Sequence, residues 1–162
     1  MYKVTHQLWK TESYTLHPGV KAIALETMEV DPREIQIDLF ANLKNFTRPL
    51  FCRRENSAFR YDWSKLGCTL WANPPWSKLP HVLHKVCLQP CRIILTHPVW
   101  EGEPWFSLLQ KIALRSFQVT QGTSVFYTDK KVLLPSPSWQ TAITLIDTTK
   151  KNVECKRRMC LG

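Results

Sequence analysis

The chain has 162 residues, 44% of them hydrophobic and 22% charged, which is the composition of one globular domain and not of a disordered segment. Its 22 Lys and Arg against 13 Asp and Glu leave a formal charge of +9, a balance that favours polyanionic partners, nucleic acid first, because each neutralised phosphate releases a counterion. No apolar run approaches the roughly 20 residues of a membrane span, and the start Met1-Tyr2-Lys3-Val4-Thr5-His6 has no apolar core of a secretory signal, so the expectation is an intracellular protein outside the membrane.

In chain order, the first dozen residues show no firm period and are expected to form a loose arm. His17-Pro18-Gly19 opens a stretch in which Val20, Ile23, Ala24 and Met28 recur at helical spacing. Pro18 suits a helix amino terminus, and Asp31-Pro32 ends the element. Glu34 to Ala41 reads as a strand, with Ile35, Ile37, Leu39 and Ala41 alternating; a polar loop from Asn42 to Pro49 leads to a short strand at Leu50-Phe51-Cys52. Leu70 to Ala72 reads as a buried strand, and Leu79, Val82, Leu83 and Val86 as the apolar stripe of the helix behind it. The apolar run Cys91 to Thr96 is most simply another parallel strand. Pro104 begins a helix with Trp105, Phe106, Leu108, Leu109 and Ile112. Phe117-Gln118-Val119 and Ser124-Val125-Phe126-Tyr127 flank Gly122 as late strands, and Trp139 to Ile146 is the last. Alternating strand and helix patterns predict an α/β domain with a mainly parallel sheet flanked by helices. It is expected over 30–147, after an N-terminal extension with a helix (1–29) and before a basic tail (148–162). That tail, with Lys150-Lys151 and Lys156-Arg157-Arg158, reads first as a solvated end, and otherwise as a targeting signal or a phosphate-binding arm.

Six cysteines, Cys52, Cys68, Cys87, Cys91, Cys155 and Cys160, are expected to be free thiols in a chain without a secretory signal. His84, Cys87 and Cys91 fall at helix-like spacing, and Cys155 and Cys160 form a second pair. Neither pair has the two-residue gap of a zinc ribbon, so no metal is expected.

The segment with chemical content is Asn73-Pro74-Pro75-Trp76, between the strand Leu70 to Ala72 and the helix that follows. Two consecutive prolines cannot continue a central strand, because each lacks the N–H that a ladder needs. They form a stiff turn at a strand's carboxyl end, where open α/β sheets bind ligands. Asn73 supplies a carbonyl acceptor and an NH2 donor, and Trp76 a flat face for stacking. The plain alternative is an Asn-Pro turn beside a core tryptophan.

The wider pattern is Asp38-Leu39-Phe40-Ala41, Asn45, Pro49-Leu50-Phe51, Asp62-Trp63 and Trp71-Ala72-Asn73-Pro74-Pro75-Trp76-Ser77. It is followed by Ile93-Ile94-Leu95-Thr96-His97-Pro98, Trp105-Phe106, Gly122, Val125-Phe126 and Leu134-Pro135-Ser136-Pro137-Ser138. In this order and at these intervals it resembles the phage-type DNA adenine-N6 methyltransferase (Dam) family over about two-thirds of the chain. It is also similar to the Dam-like domain of eukaryotic retroelement polyproteins, whose catalytic motif often drifts. The resemblance implies a Rossmann-like methyltransferase sandwich over 30–147 and S-adenosylmethionine as methyl donor. It implies DNA as partner, and a nuclear location in a eukaryote or a cytoplasmic one in a phage or bacterial host. It assigns Asn73, Pro74, Pro75 and Trp76 to catalysis, and Asp38, Phe40, Ala41 and Asn45 to cofactor binding.

The chemistry explains why the motif has these residues. The exocyclic amine of adenine is a poor nucleophile while its lone pair is delocalised into the ring. Two acceptors, the Asn73 side-chain oxygen and the Pro74 carbonyl, favour the pyramidal amine and stabilise its growing positive charge. The prolines hold those acceptors rigid, and Trp76 would stack on a base extruded from the duplex.

Two departures stand out, the first from methyltransferases of this fold at large, since the phage-type family itself often lacks the glycines concerned. Asn42-Leu43-Lys44 occupies the place of the glycines that let a backbone approach the cofactor. Asn56-Ser57 stands where the family tends to have an acidic residue. They point to an alternative, a catalytically inactive, retroelement-derived nucleic-acid-binding module. Asp62 is expected to cap the turn before Trp63. Trp63, Trp71, Trp100 and Trp105 read as core or pocket walls, His97 as a satisfied loop histidine, and Lys78, Lys85 and Arg92 as phosphate contacts or a solvated basic face.

Overall fold

A computed structural model describes residues 14–41, 50–51, 57–128 and 130–149. Asn45, Asn56, the first dozen residues and the basic run after residue 149 lie outside the described residues.

Local sequence explains the helices. Helix α1 (Pro18–Thr27) starts where His17 caps it through Nδ1, accepting from the Gly19 N–H, with Pro18 in the first turn. It ends at Glu29, whose φ of 59° turns the chain out of the helix. Helix α2 (Leu79–Leu88) buries Leu79, Val82, Leu83 and Val86, the stripe read from the sequence, together with Cys87. Each fully buried Leu or Val there contributes about 1.5–3 kcal/mol. Helix α3 (Pro104–Ile112) begins at Pro104 and buries Trp105, Phe106 and Leu109.

The strands are β1 (Thr15–Leu16), β2 (Ile35–Asp38), β3 (Leu50–Phe51), β4 (Thr69–Ala72), β5 (Arg92–Pro98), β6 (Ala113–Gln118), β7 (Phe126–Tyr127) and β8 (Thr141–Asp147). Six of them form one sheet in the order β3-β2-β4-β5-β8-β6, and β1 and β7 form a separate two-stranded ribbon. The neighbours β3, β2, β4 and β5 pair in parallel. Strand β8 runs antiparallel to both β5 and β6, from Arg92↔Asp147 to Pro98↔Thr141 on one side and from Ala113↔Ile146 to Gln118↔Ala142 on the other.

This corrects the expected fold class. The sheet is mixed and not the mainly parallel one of a Rossmann-like sandwich, and its longest ladders are the antiparallel ones. The longest parallel ladder reaches only from Thr69↔Arg92 to Ala72↔Leu95. Residues Thr141 to Ile146 are buried on both faces. That pattern is common in parallel strands but says nothing about direction. Here an antiparallel strand occupies the same kind of central position.

Register assigns the two faces. Asp38, Trp71 and Ile94 are paired across β2, β4 and β5 and share one face; Lys21 of α1 holds its ammonium 4.2 Å from the Trp71 ring centre there. His97 projects to the other face, against Trp105 and Phe106 of α3, and α2 packs beside α3. Ala24, Leu25 and Met28 of α1 join the same buried cluster as Leu70, Ile93, Ile94, Leu95, Ile143 and Leu145. The helix expected in the N-terminal extension is therefore packed into the sheet's own core.

Candidate active site

Strand β4 ends at Ala72, and the chain turns through Asn73, Pro74 and Pro75 into a short 3-10 turn, Trp76–Lys78, before α2 begins. The Pro75 carbonyl accepts from the Lys78 N–H at 2.9 Å, so the second proline belongs to the turn that launches the helix. Asn73 is only 7% exposed. Its amide Nδ2 donates to the backbone carbonyl of Tyr14, a residue fifty-nine positions earlier. Among the described residues, Asn73 Oδ1 takes no hydrogen bond.

Trp76 is buried, 4% exposed, and meets Phe126 of β7 edge to face with ring centres 6.1 Å apart. Its ring faces packed side chains here and is not laid open as a platform. Phe126 in turn pairs with Leu16 across the β1–β7 ribbon, so the ribbon roofs the turn that contains the motif.

Asp38 closes β2, the parallel neighbour of β4, in register with Trp71; the Leu39 N–H donates to the Trp71 carbonyl at 2.9 Å. Asp38 and Asn73 thus emerge from the carboxyl ends of adjacent strands, and both are buried. Phe40 turns toward Phe59, with centres 5.6 Å apart. Phe59 stacks on Trp63 at 6.0 Å. Ala41 is buried. Of the residues assigned to cofactor binding, the structure places Asp38 next to Asn73, sets Phe40 in a neighbouring aromatic cluster, and does not describe Asn45. A buried carboxylate at the end of β2 is acceptor chemistry that suits the hydroxyl groups of a nucleoside.

His97 lies within β5, not in a loop. Its Nδ1 faces the Pro98 carbonyl at 2.9 Å and its Nε2 faces Thr144 Oγ1 at 2.6 Å; Thr144 Oγ1 lies 3.0 Å from Ser116 Oγ. A carbonyl can only accept, so Nδ1 has the hydrogen and Nε2 accepts from the threonine hydroxyl. Burial pushes the His97 pKa down to about 4 despite the Pro98 carbonyl. The ring is a neutral, fully occupied core group, and it offers no base to a substrate. Asp62 caps the turn Trp63–Lys65 through Ser64, as expected.

The opposite end of the sheet looks different. A cleft of about 440 Å³ opens at the amino ends of β2, β4 and β5, with Glu34, Thr69, Arg92, Asp147, Cys68 and Trp63 in its walls. Arg92 bridges Glu34 at 3.0 Å and Asp147 at 3.4 Å, and Thr69 donates to Glu34 at 2.6 Å. Burial raises the Glu34 carboxyl, but the hydrogen bonds from Thr69 and Arg92 outweigh it and hold its pKa below the ordinary value. Burial likewise raises Asp147, and its bonds from Thr149 and Arg92 win. Arg92 therefore bridges two carboxylates and sits at the amino end of the sheet, opposite the motif. Lys85 stands 5.3 Å over Trp63, while Lys78 is exposed. Burial pushes the Cys91 thiol up to about 12, so it is unreactive. Cys68 and Cys91 are free, as expected, whereas Cys87 is disulfide-bonded, against the expectation of scattered thiols.

The cavity and the motif are thus at opposite ends of the sheet. The carboxyl end has the oriented Asn73 amide; the amino end has an open cleft whose charges are matched to one another. Sequence reasoning pointed to Asp38, Asn73 and Trp76 and placed β7 within its expected strand Ser124 to Tyr127, but it missed the Tyr14 carbonyl and β1. A backbone carbonyl leaves no residue-type signal, and two-residue strands leave no period.

Eleven of the 22 Lys and Arg but nine of the 13 Asp and Glu fall in the described residues. Most of the positive excess therefore belongs to the other segments of the sequence. Among the described residues, no group of three or more His, Cys, Asp or Glu is placed to hold a metal ion. Among them, too, no helix is long and apolar enough to cross a membrane. Compared with known proteins, the chain matches no protein-family model and no curated sequence.

Proposed function

We propose that the chain is a DNA adenine-N6 methyltransferase-like domain that moves a methyl group from S-adenosylmethionine to the exocyclic amine of adenine. The observation that supports it best is the placement of Asp38 and Asn73 at the carboxyl ends of neighbouring parallel strands, with the Asn73 amide anchored through its nitrogen. This role needs that local pair of strands and not a mainly parallel sheet.

In this role the Asn73 oxygen and the Pro74 carbonyl accept the two N–H bonds of the amine. They draw the nitrogen toward a pyramidal, nucleophilic form and stabilise the positive charge that develops on it. The rigid Pro74-Pro75 turn, tied down by the Lys78 N–H, means that little reorganisation is needed during reaction. Asp38, Phe40, Ala41 and Asn45 hold the cofactor, which supplies an electrophilic methyl group. Trp76, packed edge to face on Phe126, holds the motif turn in place from behind. The excess positive charge of the chain supports DNA as the polyanion bound, and the protein works inside the cell, in the nucleus of a eukaryote or the cytoplasm of a bacterial host.

A second reading has specific support: a catalytically inactive, retroelement-derived module that binds nucleic acid. Asn42-Leu43-Lys44 stands where glycines would let the backbone approach a cofactor, and Trp76 is packed under Phe126.

Calorimetry with S-adenosylmethionine separates the two. Micromolar binding that is lost in Asp38→Ala, followed by methyl incorporation into adenine-containing DNA, is the expected result. A well-folded chain with no heat of binding would sink the enzyme role and leave the inactive module.

A further inference from the structure

The hydrogen bond from Asn73 to Tyr14 does more than satisfy a buried amide. A backbone carbonyl accepts and never donates, so whatever faces the Tyr14 oxygen from position 73 must be a donor. That fixes the sense of the Asn73 amide: the NH2 points at Tyr14, and Oδ1 is turned the other way. Tyr14 itself is held in place. The next two residues form β1, paired antiparallel with β7 as Thr15↔Tyr127 and Leu16↔Phe126. The His17 N–H donates to the Val125 carbonyl at 2.6 Å, and the His17 and Tyr127 rings stack at 5.6 Å. Leu16 and Phe126 are both buried, and α1 starts immediately afterwards, anchored by its own buried face. A strap from Tyr14 to His17 is thus clamped at both ends across the carboxyl end of β4.

We infer that this strap is a positioning element: the Tyr14 carbonyl holds the Asn73 amide so that Oδ1 is presented to the substrate amine, and position 73 in this chain therefore requires Asn and rejects Asp. The inference rests on the methyl-transfer role for its chemical purpose. Here a carboxylate would set an oxygen against the Tyr14 oxygen in a site that is only 7% exposed, with no hydrogen to share. A protonated carboxyl could donate to Tyr14 and still offer its second oxygen outward, so the defect should be reversible with acid.

The test is Asn73→Asp, followed by thermal unfolding and by methyl incorporation into adenine-containing DNA from pH 5 to pH 8. The introduced carboxyl has its folded-state affinity for protons raised by the facing carbonyl. The variant is therefore least stable relative to wild type at high pH, and the gap closes as pH falls toward the ordinary carboxyl range of about 4. Its rate should be reduced by about tenfold or more at pH 8, short of the roughly 10²–10³-fold loss from deleting such a group outright, and should recover toward wild type on acidification. A purely structural contact would move the unfolding curve without that pH-dependent recovery of rate.

Leu16→Ala is the second variant. It loosens the strap while leaving Asn73 intact, and should lower the rate several-fold at unchanged S-adenosylmethionine affinity. Wild-type stability and a flat pH profile in Asn73→Asp would overturn the inference, as would a wild-type rate in Leu16→Ala. If the wild-type chain transfers no methyl group, the proposed function fails and the positioning role falls with it. The unfolding curves of Asn73→Asp then still report whether the amide contact exists.

Discussion

The two ends of the sheet handle polarity in opposite ways. At the amino end, Glu34, Arg92 and Asp147 form a partly solvated ion network around an open cleft. Each charge is matched by its neighbours, and the strands tolerate it because water reaches the site. At the carboxyl end, Asp38, Asn73, Thr96 and His97 are almost wholly buried. Asn73 and His97 among them are oriented by backbone partners, the Tyr14 and Pro98 carbonyls. Groups held in fixed orientation by rigid backbone are better suited to act on a substrate than charges that already neutralise one another.

That contrast can be broken experimentally. The largest effect is expected from Trp76→Ala, which removes a buried indole packed on Phe126 and should cost about 3–5 kcal/mol of stability in denaturant titration. Little loss of stability, with weakened binding of adenine-containing DNA, would instead make Trp76 a true stacking platform. Asn73→Ala comes next. Methyl incorporation should fall by about 10²–10³-fold, while unfolding shifts by only about 1 kcal/mol for the lost bond to Tyr14. A near-wild-type rate would remove Asn73 from the chemistry.

A third prediction concerns His97, whose neutral form is favoured by burial. Its folded pKa of about 4 lies below the ordinary value of 6.5, so between those values the unfolded chain binds more protons than the folded one. Stability contributed by His97 is complete above about pH 6.5 and is lost as pH falls toward 4. The window lies largely above that of Glu34 and Asp147, whose lowered values place their loss at more acid pH. His97→Gln, which can still donate to Pro98 and accept from Thr144, should flatten the thermal-unfolding curve between pH 6.5 and 4. The smallest effect is expected at the amino end. Arg92→Gln should cost about 0.5–1 kcal/mol, the range of partly exposed ion pairs, and leave methyl transfer unchanged. A large loss of activity there would move the functional site to the cleft.

Most elements were legible because their signals are local. Pro18 and Pro104 mark helix starts, the spacing of Leu79, Val82, Leu83 and Val86 defines a buried face, and the prolines after Asn73 end a strand. The sheet's character was not legible. Thr141 to Ile146 is buried on both faces whichever way it runs. Its direction depends on how the chain returns after β6, and no periodicity records that. Strand β2 was also read too long: pairing stops at Asp38, although alternation continues to Ala41.

At the site, residue types exposed Asp38, Asn73 and Trp76, since their chemistry lies in their side chains. Arg92 was misplaced because proximity in sequence to the motif was taken for proximity in space. A helix and a full strand length separate the two, and β5 begins at the far edge.

The sequence by itself determined where helices start and stop, which residues are buried and which short segment has acceptor chemistry, because these follow from side-chain types a few positions apart. Only the tertiary structure decided that β8 runs against its neighbours, that the cleft and the motif face opposite ways, and that the Tyr14 carbonyl fixes the Asn73 amide. Each of these joins backbone groups distant in the chain, and every residue but proline has the same backbone N–H and carbonyl groups.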